Sequence, residues 1–376
     1  MKSYINRKTI YYILIILLIP ASSIAQWLNS GGIKTNILSV TSQSTKVEYI
    51  LTNYDERTVD VNGIECVQYQ IPGSIVLMEK GMPQLPSDRR SIVIPDFAAT
   101  NYSIVNAEYE LKETLPVIPS KGHFTRNIDP DSVPFEFNEF YTTNNWYPEE
   151  NILLDIPYIV RDLRGQTIQF NPMQYNPAEG MLRICKRIVV EVFNDFGGQA
   201  VNPFIRNNPL EAVDKDFNEV YKSLFINYGI GEFDYTPLEE TGRLLIIYPT
   251  TFSSNITPFY NWKVERGLTT LLAEYPTQTG TGSTAIKNYI QNLYNSPEGL
   301  TFIILVGEAS QIPTINGQYE SAPSDPCYIK LAGSDAYPDA FISRISPTSA
   351  ANLDYVLWKL IRYEKYPDTG RTLHGI

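Results

Sequence analysis

The residues best placed to do chemistry lie between Gly299 and Arg344. Leu300 to Val306 (LTFIILV) is an unbroken apolar run rich in β-branched residues and stopped by Gly307. That is the pattern of a strand buried on both faces in a parallel sheet. Glu308 follows directly, and ligands of open α/β sheets collect where such strands end. Asp335, Tyr337 and Asp339 then alternate through a turn-rich segment between two apolar stretches. Two carboxylates at this spacing, completed by backbone carbonyls, can wrap a hard cation such as calcium; read without a cation they are solvated turn residues. The segment is not an EF-hand, because the glycine at loop position 6 and the glutamate at position 12 are missing.

Nucleophiles are scarce. The chain has three cysteines, Cys66, Cys185 and Cys327, and two histidines, His123 and His374. An odd count without CxxC spacing argues against a disulfide framework or a zinc site. Buried free thiols fit better, with a single Cys66–Cys185 bridge as the other arrangement. Thiolate catalysis needs an imidazole nearby, held by a third group. Cys327 reads as part of an apolar strand run in Ser-Asp-Pro-Cys-Tyr, and neither histidine is close to a cysteine in sequence. No catalytic residue is therefore assigned within the chain. Phosphate-cradling glycine motifs are also absent, so a nucleotide cofactor is not expected.

The elements that must position these residues change character along the chain. From Trp27 to about Phe233, short β-prone runs such as Lys46–Leu51, Glu65–Ile71, Ser91–Pro95 and Arg187–Phe193 are separated by Gly, Pro, Asn and Asp. That predicts an all-β sandwich or barrel-like module. Asn207 to Asp234 reads as a partly helical linker, with a boundary between Tyr228 and Glu240. From Gly242 strands and helices alternate: a strand over Arg243–Tyr248, and a helix over Pro258–Arg266 ended by Gly267. A strand over Leu268–Ala273 follows, then a helix over Ser283–Asn295 with Ile286, Tyr289, Ile290 and Leu293 on one face. The Leu300 strand comes next, and last a helix from about Ala350 to Tyr363. Such alternation predicts a mainly parallel sheet with helices on both faces.

Composition bounds the rest. With 376 residues, 43% hydrophobic and 19% charged, the chain is globular and long enough for two cores. A net charge of −11 without a basic block excludes nucleic acid as a partner. Lys2, Arg7 and Lys8, an apolar core over Ile10–Ile19, Pro20 and Ser23-Ile24-Ala25 read as a secretory signal peptide over residues 1–25; an uncleaved membrane anchor is the alternative, but the apolar core falls short of the roughly twenty residues a bilayer span needs. The mature chain is expected to be exported.

LTFIILVGEASQIP, the G-x-D-x-Y-x-D segment ending at Asp339 and the F-I-x-R strand ending at Arg344 resemble the start of the catalytic domain of gingipain-type cysteine peptidases. NWKVERGL at Asn261–Leu268 and YTPLEETGRLLIIYP at Tyr235–Pro249 belong to the same resemblance. Gly81-Met82-Pro83-Gln84-Leu85-Pro86, a basic pair and SIVIP resemble the propeptide domains of that family. The resemblance implies a signal peptide (1–25), an N-terminal all-β prodomain (26–234) and a truncated caspase-like α/β domain (235–376). It implies that the catalytic histidine, in a Gly-His-Gly type motif, and the cysteine both lie downstream of this sequence, so that the fragment itself is inactive. It carries calcium onto Glu308, Asp335 and Asp339, with the carbonyls of Ala332 and Tyr337.

Expected partners are peptide or protein substrates, the chain's own prodomain as inhibitor, and components of a secretion system. Lys121–Asp129, offering Arg126, is a candidate inhibitory loop; an ordinary solvated loop is the alternative. In the family, maturation cuts after an arginine before Tyr-Thr-Pro, but here Asp234 precedes Tyr235. That departure points to another processing protease or to a prodomain that stays attached. Two alternatives accompany the peptidase precursor. One is a signal-processing peptidase of the type IX secretion route; the other is a non-catalytic exported surface module with a decayed peptidase domain.

Overall fold

The computed structural model describes residues 31–206, 210–318 and 321–366. Residues 1–25, read above as a signal peptide, and His374 lie outside them. Along the chain, the strands of the first half are β1 (Ile33–Val40), β2 (Ser44–Leu51), β3 (Asp55–Val61), β4 (Ile64–Gln70), β5 (Ile75–Val76), β6 (Pro86–Val93) and β7 (Ala99–Glu113). They continue as β8 (Ile152–Leu154), β9 (Tyr158–Val160), β10 (Leu163–Phe170), β11 (Met173–Asn176) and β12 (Met181–Asp195). A connecting stretch holds β13 (Ala212–Val213), α1 (Lys215–Leu224) and β14 (Thr236–Pro237). The second half runs β15 (Leu244–Pro249), α2 (Ser253–Glu265), β16 (Thr270–Tyr275), α3 (Ser283–Tyr294), β17 (Phe302–Val306), β18 (Ile315–Asn316), β19 (Pro323–Ser324), β20 (Phe341–Ile345) and α4 (Ala350–Lys365).

The first half is a β-sandwich. One antiparallel sheet runs β1-β2-β12-β11, with β7 along β12; the other runs β5-β6-β10-β8, with β9 on β10. The alternation of β2 explains the arrangement: Thr45, Val47, Tyr49 and Leu51 point inward and their neighbours outward. Tyr49 and Phe170, from opposite sheets, meet with ring centroids 5.0 Å apart. Ile92, Ile168, Ile184, Ile188 and Val190 fill the same core. Each such side chain contributes roughly 1.5–3 kcal/mol by leaving water. The β3–β4 hairpin turns at Asn62-Gly63, both at positive φ (56° and 83°), the residues that a type I′ turn favours.

The second half is α/β, as its alternation predicts. The sheet order is β16-β15-β17-β20, and every pairing is parallel. Alternate strand residues feed two cores. Leu245, Ile247, Ile303 and Leu305 meet Ile286 and Ile290 of α3. Leu244, Ile246 and Val306 meet Ile256 and Phe259 of α2 and Leu353 and Leu357 of α4. Helices therefore cover both faces, and the apolar stripe of α3 is the one read from its spacing.

Two local expectations need correction. The helix expected to start at Pro258 begins at Ser253, with Pro258 inside it, because burying Phe252 and Ile256 beside Phe259 rewards the extra turn. Cys327 lies not in a strand but in a 3-10 turn, Asp325–Ile329. There Tyr328 is buried, and the Lys287 ammonium of α3 takes the carbonyls of Cys327, Tyr328 and Lys330.

Candidate functional site: the contact between the two halves

Parallel strands give the second half two unlike rims. At the carboxyl rim β17 is followed by Gly307 (φ 135°) and exposed Glu308. The Glu308 carbonyl accepts the amides of Gln311 and Ile312, both at 2.9 Å, closing the turn. Arg344, at the end of β20, donates to both carboxylate oxygens of Asp325 and to the carbonyls of Gly307 and Ile312. It fixes the floor of this rim.

Asp335 and Asp339 are at the other rim, ahead of β20, and they face the β-sandwich. Asp335 Oδ2 accepts the Ile159 amide (2.7 Å) and the Asn202 Nδ2 (2.9 Å), while Oδ1 accepts the Tyr337 amide (2.9 Å). Asp339 Oδ1 accepts the Arg161 amide (2.7 Å), and Oδ2 accepts those of Leu331 (2.6 Å) and Ala332 (2.7 Å). Burial pushes the Asp339 carboxyl up to about 6, against the pull of these amides. Tyr337 lies flat on Tyr158 at 3.9 Å between centroids.

Arg161 completes the contact. Its Nη1 donates to the carbonyls of Leu300 (2.8 Å) and Asp339 (2.9 Å). Its Nη2 reaches Thr301 Oγ1 (3.1 Å) and Asp214 Oδ2 (2.8 Å). Asp214 is also the N-cap of α1, where Oδ1 accepts the amides of Asp216 and Phe217, and its Oδ2 accepts the Thr301 hydroxyl at 2.7 Å. Burial works against the guanidinium charge, but Asp162 and Asp214 outweigh it and hold Arg161 above its ordinary value. Phe217 of α1 packs on Phe341 of β20 with centroids 4.7 Å apart.

The expected calcium set is not assembled in this arrangement. Among the described residues no three of His, Cys, Asp and Glu gather around one point, so Glu308 stands apart from Asp335 and Asp339. All four oxygens of the two aspartates accept N–H donors, which present positive hydrogens where a cation would sit. The residues as placed do not fit a calcium ion, and no chemistry is derived through one. Asp335, Tyr337 and Asp339 were singled out by type and spacing, and they do converge, but on the β-sandwich. Arg161, Asn202, Asp214 and Thr301 were missed. The one local signal was Arg161-Asp162 between two apolar runs, at a turn.

Cys66 and Cys185 are buried free thiols. Burial raises both, Cys185 to about 12, so neither is an available thiolate at neutral pH. Cys327 is partly buried, 3.4 Å from the Ser324 hydroxyl, and His123 is exposed.

Comparison with known proteins agrees with this two-part layout. The propeptide family Propeptide_C25 matches residues 31–232, and peptidase family C25 matches residues 238–374. Gingipain R1 of Porphyromonas gingivalis is 34% identical over 337 residues, which cover 88% of this chain and 33% of the relative. Gingipain R2 of strain W83 is 32% identical over 340 residues, covering 88% of this chain and 45% of the relative. The chain thus spans less than half the length of these relatives. A solved complex of the Porphyromonas gingivalis RgpB pro- and mature domains aligns at 30% identity with a TM-score of 0.46, over 51% of this chain and 97% of that one. The chain belongs to peptidase family C25: it is a gingipain-like cysteine peptidase precursor, of which it holds the propeptide and a segment of the peptidase domain.

Proposed function

We propose that the chain is the leading part of an exported endopeptidase that cuts peptide bonds with a cysteine thiolate, and that its β-sandwich acts as the inhibitor of its own peptidase half. The observation that carries this is the order of the two family matches along one chain, propeptide and then peptidase. Thiolate catalysis needs a low thiol pKa and an adjacent imidazole. Burial raises the thiols of Cys66 and Cys185, which supports placing the reacting pair in sequence outside the described residues and reading the 376-residue chain as inactive. Relatives named Lys-gingipain support substrates with a basic residue at the cleaved position. The basic and apolar pattern of residues 1–25 supports export. Calcium enters only for a peptidase half released from its prodomain, since the docked sandwich takes the Asp335 and Asp339 oxygens.

A variant of this reading keeps the prodomain attached, as in a processing peptidase of the type IX secretion route. It is favoured by the junction. Asp234 replaces the expected arginine, Tyr235 is partly buried, and Thr236–Pro237 pair in parallel with Ala212–Val213. The test is to express the gene with its downstream sequence and assay arginyl and lysyl peptide substrates with and without a thiol-alkylating reagent. Thiol-dependent cleavage by the longer product, with none by residues 1–376, is expected. Cleavage by the 376-residue chain itself refutes the placement of the reacting pair.

A further inference from the structure

The contact between the halves centres on a strained residue. Val160 pairs with Leu163, so Arg161-Asp162 is a two-residue hairpin turn between β9 and β10. Arg161 has φ 49°, and Asp162 is not at positive φ. That is the pattern of a type II′ turn, whose first central position favours glycine. An arginine there, with its Cβ, holds a strained backbone. Strain of this kind persists only where surrounding structure over-determines it, and it marks functional positions.

What holds Arg161 lies mostly across the contact: Leu300 O, Thr301 Oγ1, Asp339 O and Asp339 Oδ1. Asp214, at the start of α1, clamps it from the connecting stretch. The receptor is shaped for close approach. Gly333 has φ 66°, and a Cβ there would sit 2.8 Å from Ile159 Cδ1. All of these groups precede β17 and β20, at the amino rim of a parallel sheet. Glu308 marks the opposite rim, where ligands of such sheets collect.

We propose that the β9–β10 tip is the grip that retains the prodomain, that the Asp335–Asp339 loop is its receptor, and that this grip is separate from whatever blocks the carboxyl rim. Retention and latency are then carried by different surfaces. The proposal rests on the reading of the sandwich as an inhibitory prodomain, but its test reads binding, not proteolysis, so the two can fail separately.

A site for a sequence-specific protease is inserted between Glu239 and Glu240, both exposed. The folded full chain is cut there, and dissociation of the two pieces on dilution is followed by native mass spectrometry. The unmodified tip should keep the pieces paired. Arg161→Gly relieves the turn and leaves the sandwich at least as stable to urea, yet weakens pairing at least about 30-fold, because the guanidinium's hydrogen bonds across the cut, to the Leu300 and Asp339 carbonyls and the Thr301 hydroxyl, are lost. Arg161→Lys, which keeps the charge and loses the fork, should fall between. Arg126→Ala should leave pairing unchanged. Hydrogen exchange on the uncut chain provides a reading independent of any variant: the Ile159 and Arg161 amides should be protected. Pairing of the glycine variant within about twofold of the original, equal weakening by Arg126→Ala, or fast exchange at Ile159 and Arg161 overturns the proposal.

Discussion

Arg164 offers a sharp test of how the sandwich shapes its contact face. The side chain is 1% exposed, yet among the described residues no carboxylate hydrogen-bonds to it. Its donors go to backbone carbonyls: Nε to Asn202 (3.0 Å), Nη1 to Pro95 (2.6 Å) and Ala98 (2.9 Å), and Nη2 to Val201 (2.7 Å). Burial lowers its pKa, and Asp96 partly opposes this. Arg164→Met keeps much of the length and removes every donor, orphaning four carbonyls. Hydrogen bonds to a charged group are each worth about 1.5–3 kcal/mol, and part of that is returned when the buried charge is removed, so the net loss should be about 3–5 kcal/mol. A domain is stable by only about 5–15 kcal/mol, so this is a large share. Arg164→Lys should lose nearly as much, because one ammonium cannot span carbonyls that diverge around a planar fork.

The assay is urea unfolding of the full chain, followed by near-UV circular dichroism, with the slope checked to be unchanged. A second consequence follows from geometry. Arg164 holds the backbone of Val201 and Asn202, and the Asn202 side chain donates to Asp335. Loosening the segment should therefore weaken pairing of the cut halves in the dilution experiment. An Arg164→Met variant that loses less than about 1 kcal/mol, or loses stability with no change in pairing, refutes the reasoning.

Gly333→Ala imposes a positive φ on a residue with a Cβ and crowds Ile159, so pairing of the cut halves should weaken by about 1–2 kcal/mol. Ile159→Val, which shortens that side chain, should restore part of the loss in a double-mutant cycle. Glu364 of α4 accepts from Trp262 Nε1 (2.8 Å), Lys263 Nζ (2.6 Å) and Arg266 Nη1 (2.8 Å) of the α2 region. Burial works against its charge, but these donors outweigh it and hold the carboxyl below its ordinary value. A depressed carboxyl contributes stability that is present above its ordinary pKa and lost as pH falls through the folded one, so the second half should weaken as pH falls below the ordinary carboxyl value of 4.5. Glu364→Gln should flatten that part of a melting-temperature-versus-pH profile, and an unchanged slope counts against the role.

Several elements were legible because their signals are local. The alternation of Lys46–Leu51, the unbroken apolar run at Leu300–Val306 and the stripe of Ile286, Tyr289, Ile290 and Leu293 each record which face of one element is buried, within a few residues of chain. Gly267 at φ 86° closes α2 for a reason equally local. The start of α2 was misplaced because the added turn is stabilised by packing of Phe252 and Ile256, not by its own propensities.

Chemistry was legible only as residue type. Asp335 and Asp339 stood out as paired carboxylates, but what an oxygen accepts depends on what folds against it. Ile159 and Arg161 come from 176 and 178 residues away. No spacing rule reaches that far, and a positive-φ arginine looks like any other arginine until its turn is built. Sequence by itself determined the two fold classes, all-β and then α/β, and the family. Only the tertiary structure decided that the amino rim of the parallel sheet is gripped by the prodomain, because that depends on N–H groups and carboxylates brought together by two separately folded cores.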